Sequence, residues 1–544
     1  MAFRHALWRD AFYSDIPWTT RIKLHRAVAQ RLDTDRGAAA VVAEHWVLGR
    51  KPDQAREALL SAAEAFCAVH AYCDGARSFR RALELWPEDE DERSRLHWLE
   101  HLARSVELAV DLGDAATVWR EIAGERQRKG DLLRLGDAER RLAAVLELQG
   151  RWQEALASRE RAAAAFTAAQ APAEAAAERL AAAAHLRSAG SFRAALSLLE
   201  TAGEQARAAQ RVDLQARILG HEGNARARMG QGQQGVELVR AGLAMAPEHG
   251  LAGPAAEIYQ RLADALEHAG DYAGASATYD EAYNFCSANG LEPTARLCLA
   301  CLTAVLRQSG DWERAATLCQ RVIESSDATL HARAVATGML GSILGVRGRT
   351  QQVRPLLLES ATLARQLELA AMELLSSWGL AIVDSVEGAT QSAVGHCWAL
   401  LERWKQTEDR HYAMPPLRWA TTFFAESGEA GGTRACAAAL AQIAADAGQD
   451  EAMSALSHGL GETALIDGSL DQAAEQFSRA LVLQGHDAPF ERAESQRRLA
   501  SVLVETGRRD EAVEHLLAAY RTVRRLGAKP QPARRRPQCA GRAG

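Results

Sequence analysis

The stretch GDYAGA, residues 270–275, decides the reading of this chain, because near-copies of it recur at a fixed interval. GRWQEA begins at Gly150, GSFRAA at Gly190, GQGQQG at Gly230 and GDWERA at Gly310, so five copies stand 40 residues apart. Weaker copies continue as GRTQQV from Gly348, GATQSA from Gly388, GEAGGT from Gly428, GSLDQA from Gly468 and GRRDEA from Gly507. GDAATV from Gly113 extends the series toward the N-terminus, whereas AYCDGA, residues 71–76, reads as a displaced turn out of step with the later copies. A fixed period of this length marks a repeat architecture.

One unit, PAAEIYQRLADALEHAGDYAGASATYDEAYNFCSANGLEP at 254–293, explains the phrase. Ile258, Leu262 and Leu266 share one face of a predicted helix that runs into Gly270, a residue able to take the left-handed conformation at a helix end. Asp271 is placed to cap the next helix, Tyr272 to supply a packing ring and Ala275 to let the two helices approach. That second helix is predicted to end at about Ala288, before Asn289 and Gly290, with Pro293 opening the following unit. Such a hairpin is too thin to bury its own apolar face and must stack on its neighbours.

The phrase resembles a tetratricopeptide repeat with a longer unit, over roughly residues 40–525. The fold expected is therefore all-α: a right-handed α-solenoid of tetratricopeptide-like helical hairpins with a period of about 40 residues. Composition agrees. The chain has 544 residues, 48% hydrophobic and 25% charged, with 14 Pro and only 6% aromatic residues, which suits many thin helices better than one thick core.

Composition also excludes classes of function. A net charge of −6 without blocks of like charge before the last twenty residues argues against nucleic-acid binding by the body of the protein. No signal sequence and no run of eighteen apolar residues is present, so secretion and membrane spanning are not expected. Nine Cys without a repeated spacing fit a reduced, cytoplasmic protein.

Three constellations invite chemistry. HWLEH, residues 97–101, fits the inverted zinc-protease motif, with His97 and His101 as ligands and Glu100 activating water, but its leucines lie on a helical face and no third ligand follows. Cys298 and Cys301 form a lone CLAC without a second pair and read as buried thiols. The segment 396–428 gathers Trp398, Trp404, Tyr412, Trp419 and Phe423 with Arg410, His411 and Arg418 around a break at Pro415 and Pro416. It is a candidate ligand or partner patch, against the alternative that its rings pack one thick repeat interface. No G-x-x-x-x-G-K-[ST] occurs, so no catalytic residue, cofactor or metal is expected in this chain.

The opening, FRHALWRDAFY at 3–13 with RIKLHRAVAQRL and AAAVVAEHWVLGRKPDQAREALLSAAEAF after it, resembles the segment that follows the ATPase module in large LuxR-type transcriptional regulators, which belong to the signal-transduction ATPases with numerous domains. Phe3, His5, Leu7, Arg9, Tyr13, His25 and His45 fall on the positions of that resemblance, and DRHYAMPPLRWATTFFAESG from Asp409 looks like a phrase of the same group's repeats. The resemblance implies a P-loop ATPase upstream, which would be the part that binds ATP, and a helix-turn-helix downstream; neither motif is in this sequence.

The expected organisation is a remnant of a winged-helix segment at 1–35, irregular hairpins at 36–112, the repeat solenoid at 113–526 and a disordered basic tail at 527–544. The expected function is a non-catalytic sensor or interaction module of a bacterial regulator, truncated or sensor-only. It would take a protein or small-molecule effector on the concave face, with no DNA contact of its own. A free-standing tetratricopeptide scaffold is the alternative, and a zinc hydrolase on His97, Glu100 and His101 a remote one.

Overall fold

A computed structural model describes residues 6–35, 38–87, 92–248, 252–447, 449–484 and 488–529. Among them the chain forms 27 α-helices, one short 3-10 turn and no strand, and it divides into two compact units, Met1–Glu178 and Arg179–Gly544. Phe3, His5 and residues 530–544 of the basic tail lie outside the described residues.

Most helices are 17 residues long and most are followed by a three-residue turn, which makes the structural period 20 residues per helix and 40 per hairpin. At the unit that opened the sequence reading, helix Ala252–His268 ends at Gly270, whose φ is +82°. The Gly270 N–H donates to Glu267 O at 3.0 Å and the Asp271 N–H to Leu266 O at 2.9 Å, a pair that satisfies carbonyls the helix end would leave orphaned. Asp271 caps helix Tyr272–Ala288 by accepting from the Gly274 N–H at 2.8 Å, and Asn289 and Gly290 end that helix as read. Fully burying a side chain such as Ile258 or Leu262 is worth roughly 1.5–3 kcal/mol, and only the stacking of neighbouring hairpins supplies that burial.

The ladder reaches further than its glycines. Arg50, His70, Val110, Gln170, Gln210 and Glu368 also take left-handed φ of 49–62°, at the same 20-residue spacing. AYCDGA is therefore not displaced: the turn is at His70 and helix Tyr72–Glu84 starts in register. Gly113 is not a turn glycine either, since the turn is at Val110 and Gly113 lies inside helix Leu112–Lys129. The Pro-Pro break is likewise corrected. Pro415 and Pro416 sit inside a continuous helix, Arg410–Glu426: each forgoes the i→i−4 bond to His411 or Tyr412, and the burial of Met414, Leu417, Trp419 and Phe423 on the same helix offsets the loss.

Inside the second unit the repeat array meets itself. His185 Nε2 lies 3.0 Å from Glu368 Oε2, Arg228 Nη1 2.9 Å from Asp409 Oδ2, and the Tyr272 hydroxyl donates to Glu451 at 3.1 Å. Arg347 Nε donates to Leu526 O at 3.0 Å, and the Lys529 N–H to Val346 O at 3.0 Å. These partners are 179–183 residues apart, so successive turns of the array touch. Gly190 is one such joint: its carbonyl accepts the Glu408 N–H at 2.8 Å, and a Cβ there would collide with the Thr407 side chain.

A paired substitution separates the two duties of a ladder glycine. Gly190 and Gly388 have φ of +76° and +80°, but a Cβ at Gly388 meets open space. Gly388→Ala is expected to cost about 1–2 kcal/mol, the left-handed penalty alone. Gly190→Ala should cost clearly more in urea unfolding, and Thr407→Ala should recover part of that excess.

Candidate functional site

The first helix of each hairpin in the second unit faces inward, and the helices ending at Ser188, Arg228, His268, Ser309, Val346 and Val386 converge with Arg410–Glu426 on one cavity. Its lining is part charged, with Arg187, Arg228, Arg261, Asp264 and His331, and part apolar, with Val335, Met339, Met372 and Leu375. The spacing follows the ladder. Asn224 links Asp264, 40 residues on, to Arg187, 37 residues before, and Gln260 reaches Cys301, 41 residues on.

Arg228 is held at the centre of a buried network, with Asp264 Oδ1 at 2.8 Å and Asp409 Oδ2 at 2.9 Å. Burial alone would push the Asp264 pKa up, but the Arg228 guanidinium overcomes it and holds the carboxyl well below the usual carboxylate range. Beside it, burial works against the His411 imidazolium, yet Glu267 and Glu451, each 3.8 Å away, raise it to about 9. Because this folded-state pKa lies above the ordinary 6.5, the stability it contributes is full below pH 6.5 and lost as pH rises through about 9. An NMR titration should find the His411 ring changing charge near pH 9.

Asp264, Glu267 and His268 are, among the described residues, the one group of three ligand-type side chains whose atoms lie within 4.8 Å of one another. Asp264 already carries Arg228, and Glu267 accepts the Tyr412 hydroxyl at 2.9 Å, so a cation would have to displace both.

The residues singled out in 396–428 do not form one surface. Trp404, Trp419 and Phe423 are buried, the last two stacked at 5.1 Å, while Trp398 is 42% exposed and packs on Phe424. Arg418 is buried elsewhere, donating to Ser495 Oγ at 2.7 Å and to Glu491 O. Arg410 lies over the Trp404 ring and donates to Thr407 O at 3.0 Å. His411 and Tyr412 reach the buried network, and Tyr412 lines the cavity.

At HWLEH, the His97 and His101 rings meet edge to face with centroids 4.6 Å apart, but Glu100 accepts from Arg126 Nη2 at 2.7 Å. The carboxylate that the hydrolase alternative needs is thus engaged by a cation from helix Leu112–Lys129. In the first unit Tyr13, His25 and His45 form a chain, Tyr13 Oη to His25 Nε2 at 2.8 Å and His25 Nδ1 to His45 Nδ1 at 2.8 Å. Leu7 and Arg9 lie on helix Ala6–Asp15, and Phe12, on the same helix, is 58% exposed.

Sequence reading missed Arg187, Arg228, Arg261, Asp264 and His331. No local pattern marks them: in the structure residues 262–268, Asp264, Glu267 and His268 among them, are buried without interruption.

No protein-family model matches the chain, and no curated protein matches it. Among solved structures, it is similar to a TPR-like repeat protein of the kinesin light chain type from Podosopora anserina, with 17% identity over 37% of this chain and 99% of that one, at a TM-score of 0.32. It is also similar to a signal transduction ATPase with numerous domains that carries a tetratricopeptide repeat sensor, from Pyrococcus horikoshii: 15% identity, 59% of this chain, 49% of that one, TM-score 0.36. The APC/C assembly Cut9–Hcn1 gives 13% identity, 86% and 87% coverage and a TM-score of 0.41. The fold assignment, tetratricopeptide-like helical hairpins stacked as an α-solenoid, rests on the 20-residue ladder itself.

Proposed function

We propose that this chain is a non-catalytic sensor module, similar to the signal-sensing half of a LuxR-type ATP-dependent regulator, and that its input is a small molecule. The observation that carries this reading is the cavity among the inner helices of the second unit. Contacts between residues about 180 apart, such as Arg228 with Asp409, bring successive turns together over the inner helices. A peptide laid along an open groove fits that geometry poorly; a compact effector fits it well. No described helix is long and apolar enough to cross a membrane. A cytoplasmic setting and the absence of DNA contacts belong to the same proposal.

A free-standing scaffold for protein partners is the second reading. It is favoured by the last helix, Arg509–Leu526, where Val513, Leu516, Leu517 and Tyr520 are each 43–57% exposed. The nucleotide sequence flanking the reading frame separates the two. The sensor reading expects a P-loop ATPase frame upstream and a helix-turn-helix frame downstream; a locus with neither leaves the scaffold.

A further inference from the structure

The charges in the cavity do not cancel. Arg228 is matched by Asp264 and Asp409. Arg261 is less well served: it donates to Gln260 Oε1 at 2.8 Å, and its nearest carboxylate, Glu257, is 3.9 Å away and already holds Arg217 at 2.8 Å and His221 at 2.6 Å. Arg187 is the outlier. It is 5% exposed, its one side-chain contact is Asn224 Oδ1 at 3.3 Å, and among the described residues no carboxylate lies within ion-pair distance of it. The Nε–H groups of both Arg187 and Arg261 have no hydrogen-bond acceptor among the described protein atoms.

A guanidinium keeps its proton in proteins, so Arg187 cannot escape its burial by neutralising. A buried cation without a paired counter-ion is costly, and an anion entering the cavity beside it would offset that cost. His331 reads the same field: burial, and then Arg187, Arg261 and Arg228, lower its pKa to about 4. The same cavity is lined by Val335, Met339, Met372 and Leu375, an apolar set in which the two methionines can adapt to shape.

We propose that this cavity binds a small organic carboxylate with an apolar body, its oxyanion held by Arg187 and Arg261 and its hydrocarbon part lying on Met339, Met372 and Leu375. Planar guanidinium groups recognise carboxylate by paired N–H donors, which is the donor type left over at both residues. The proposal rests on the sensor reading for its biological role, but the binding itself is tested apart from the flanking reading frames.

The test uses the full chain with octanoate, 1-octanol and inorganic phosphate as probes, by calorimetry and thermal melting. Octanoate should bind at one site and raise Tm. Octanol, of equal length and no charge, and phosphate, charged without a tail, should each bind at least tenfold more weakly. Arg187→Met should abolish the octanoate response while the ligand-free Tm stays level or rises, because an unmatched buried charge has gone. Where Arg187→Met does not fold, Arg261→Gln replaces it with at least a tenfold loss expected, and in the native chain octanoate should raise the titration midpoint of His331. Equal binding of octanol or phosphate, an octanoate response that survives both substitutions, or a His331 midpoint that does not move would overturn the proposal. Such a failure leaves the flanking-frame test intact.

Discussion

Arg228→Met is expected to cost about 3–5 kcal/mol at pH 7, the range for breaking a buried ion pair by removing one partner. The guanidinium is the shared counter-ion of two carboxylates that are nearly inaccessible: side-chain exposure is 6% at Asp264 and 2% at Asp409. Methionine fills much of the volume, so the loss reports charge rather than packing. The pH dependence carries a sign that identifies the mechanism. With Arg228 present, Asp264 has a depressed folded-state pKa, so its stabilisation is present above the unfolded value of 3.8 and is lost as pH falls below it. Without Arg228, burial governs and raises that pKa, so the variant regains stability relative to the native chain as pH falls from 7 toward 4. Urea unfolding at both pH values checks this. A deficit that does not shrink in acid would show that Arg228 acts through packing.

Trp312→Ala is expected to cost about 3–5 kcal/mol, as for other large buried aromatics. Trp312 occupies the aromatic position of the repeat phrase GDWERA and is 2% exposed. Its indole N–H donates to Arg307 O at 2.8 Å, and its ring packs on Phe490 with centroids 5.6 Å apart. One side chain thus closes its own hairpin and joins it to a helix 178 residues further on. Trp312→Phe keeps most of the ring burial and gives up the hydrogen bond, about 1 kcal/mol. Thermal melting of both variants should rank native, Phe and Ala in that order with the larger gap before Ala.

The hairpin repeat was legible because glycine marks the left-handed turn, as at Gly150, Gly190 and Gly270. The turns at Arg50, His70 and Val110 were not, because those residues take the same conformation inside the same hydrogen-bonded end, at a cost the helix contacts absorb. Their invisibility made the first units look irregular. The tyrosine and histidines of the opening were picked out by resemblance alone; that Tyr13, His25 and His45 touch is a fact of three helices packing.

The cavity was hidden for a different reason. Ile258, Leu262 and Leu266 were legible as a buried face, but helix Ala252–His268 is buried on the opposite side too, by residues from Arg410–Glu426. Amphipathic periodicity has no way to announce a second buried face made of Asp264, Glu267 and His268. Nor does any local pattern encode the meeting of residues about 180 apart, which arises from small rotations accumulated over several repeats. The aromatic segment misled in the same way: once Arg410–Glu426 is a continuous helix, Trp419 and Phe423 fall four residues apart on its inner side.

Everything proposed for the inner surface depends on those successive turns being in contact, and a double-mutant cycle between Arg228→Met and Asp409→Asn measures that contact directly. The two residues are 181 positions apart in sequence and joined by a 2.9 Å contact. A coupling energy of about 1–3 kcal/mol in urea unfolding of the full chain is predicted, the range for residues sharing one network. Strict additivity of the two substitutions would contradict the closed array and, with it, the cavity.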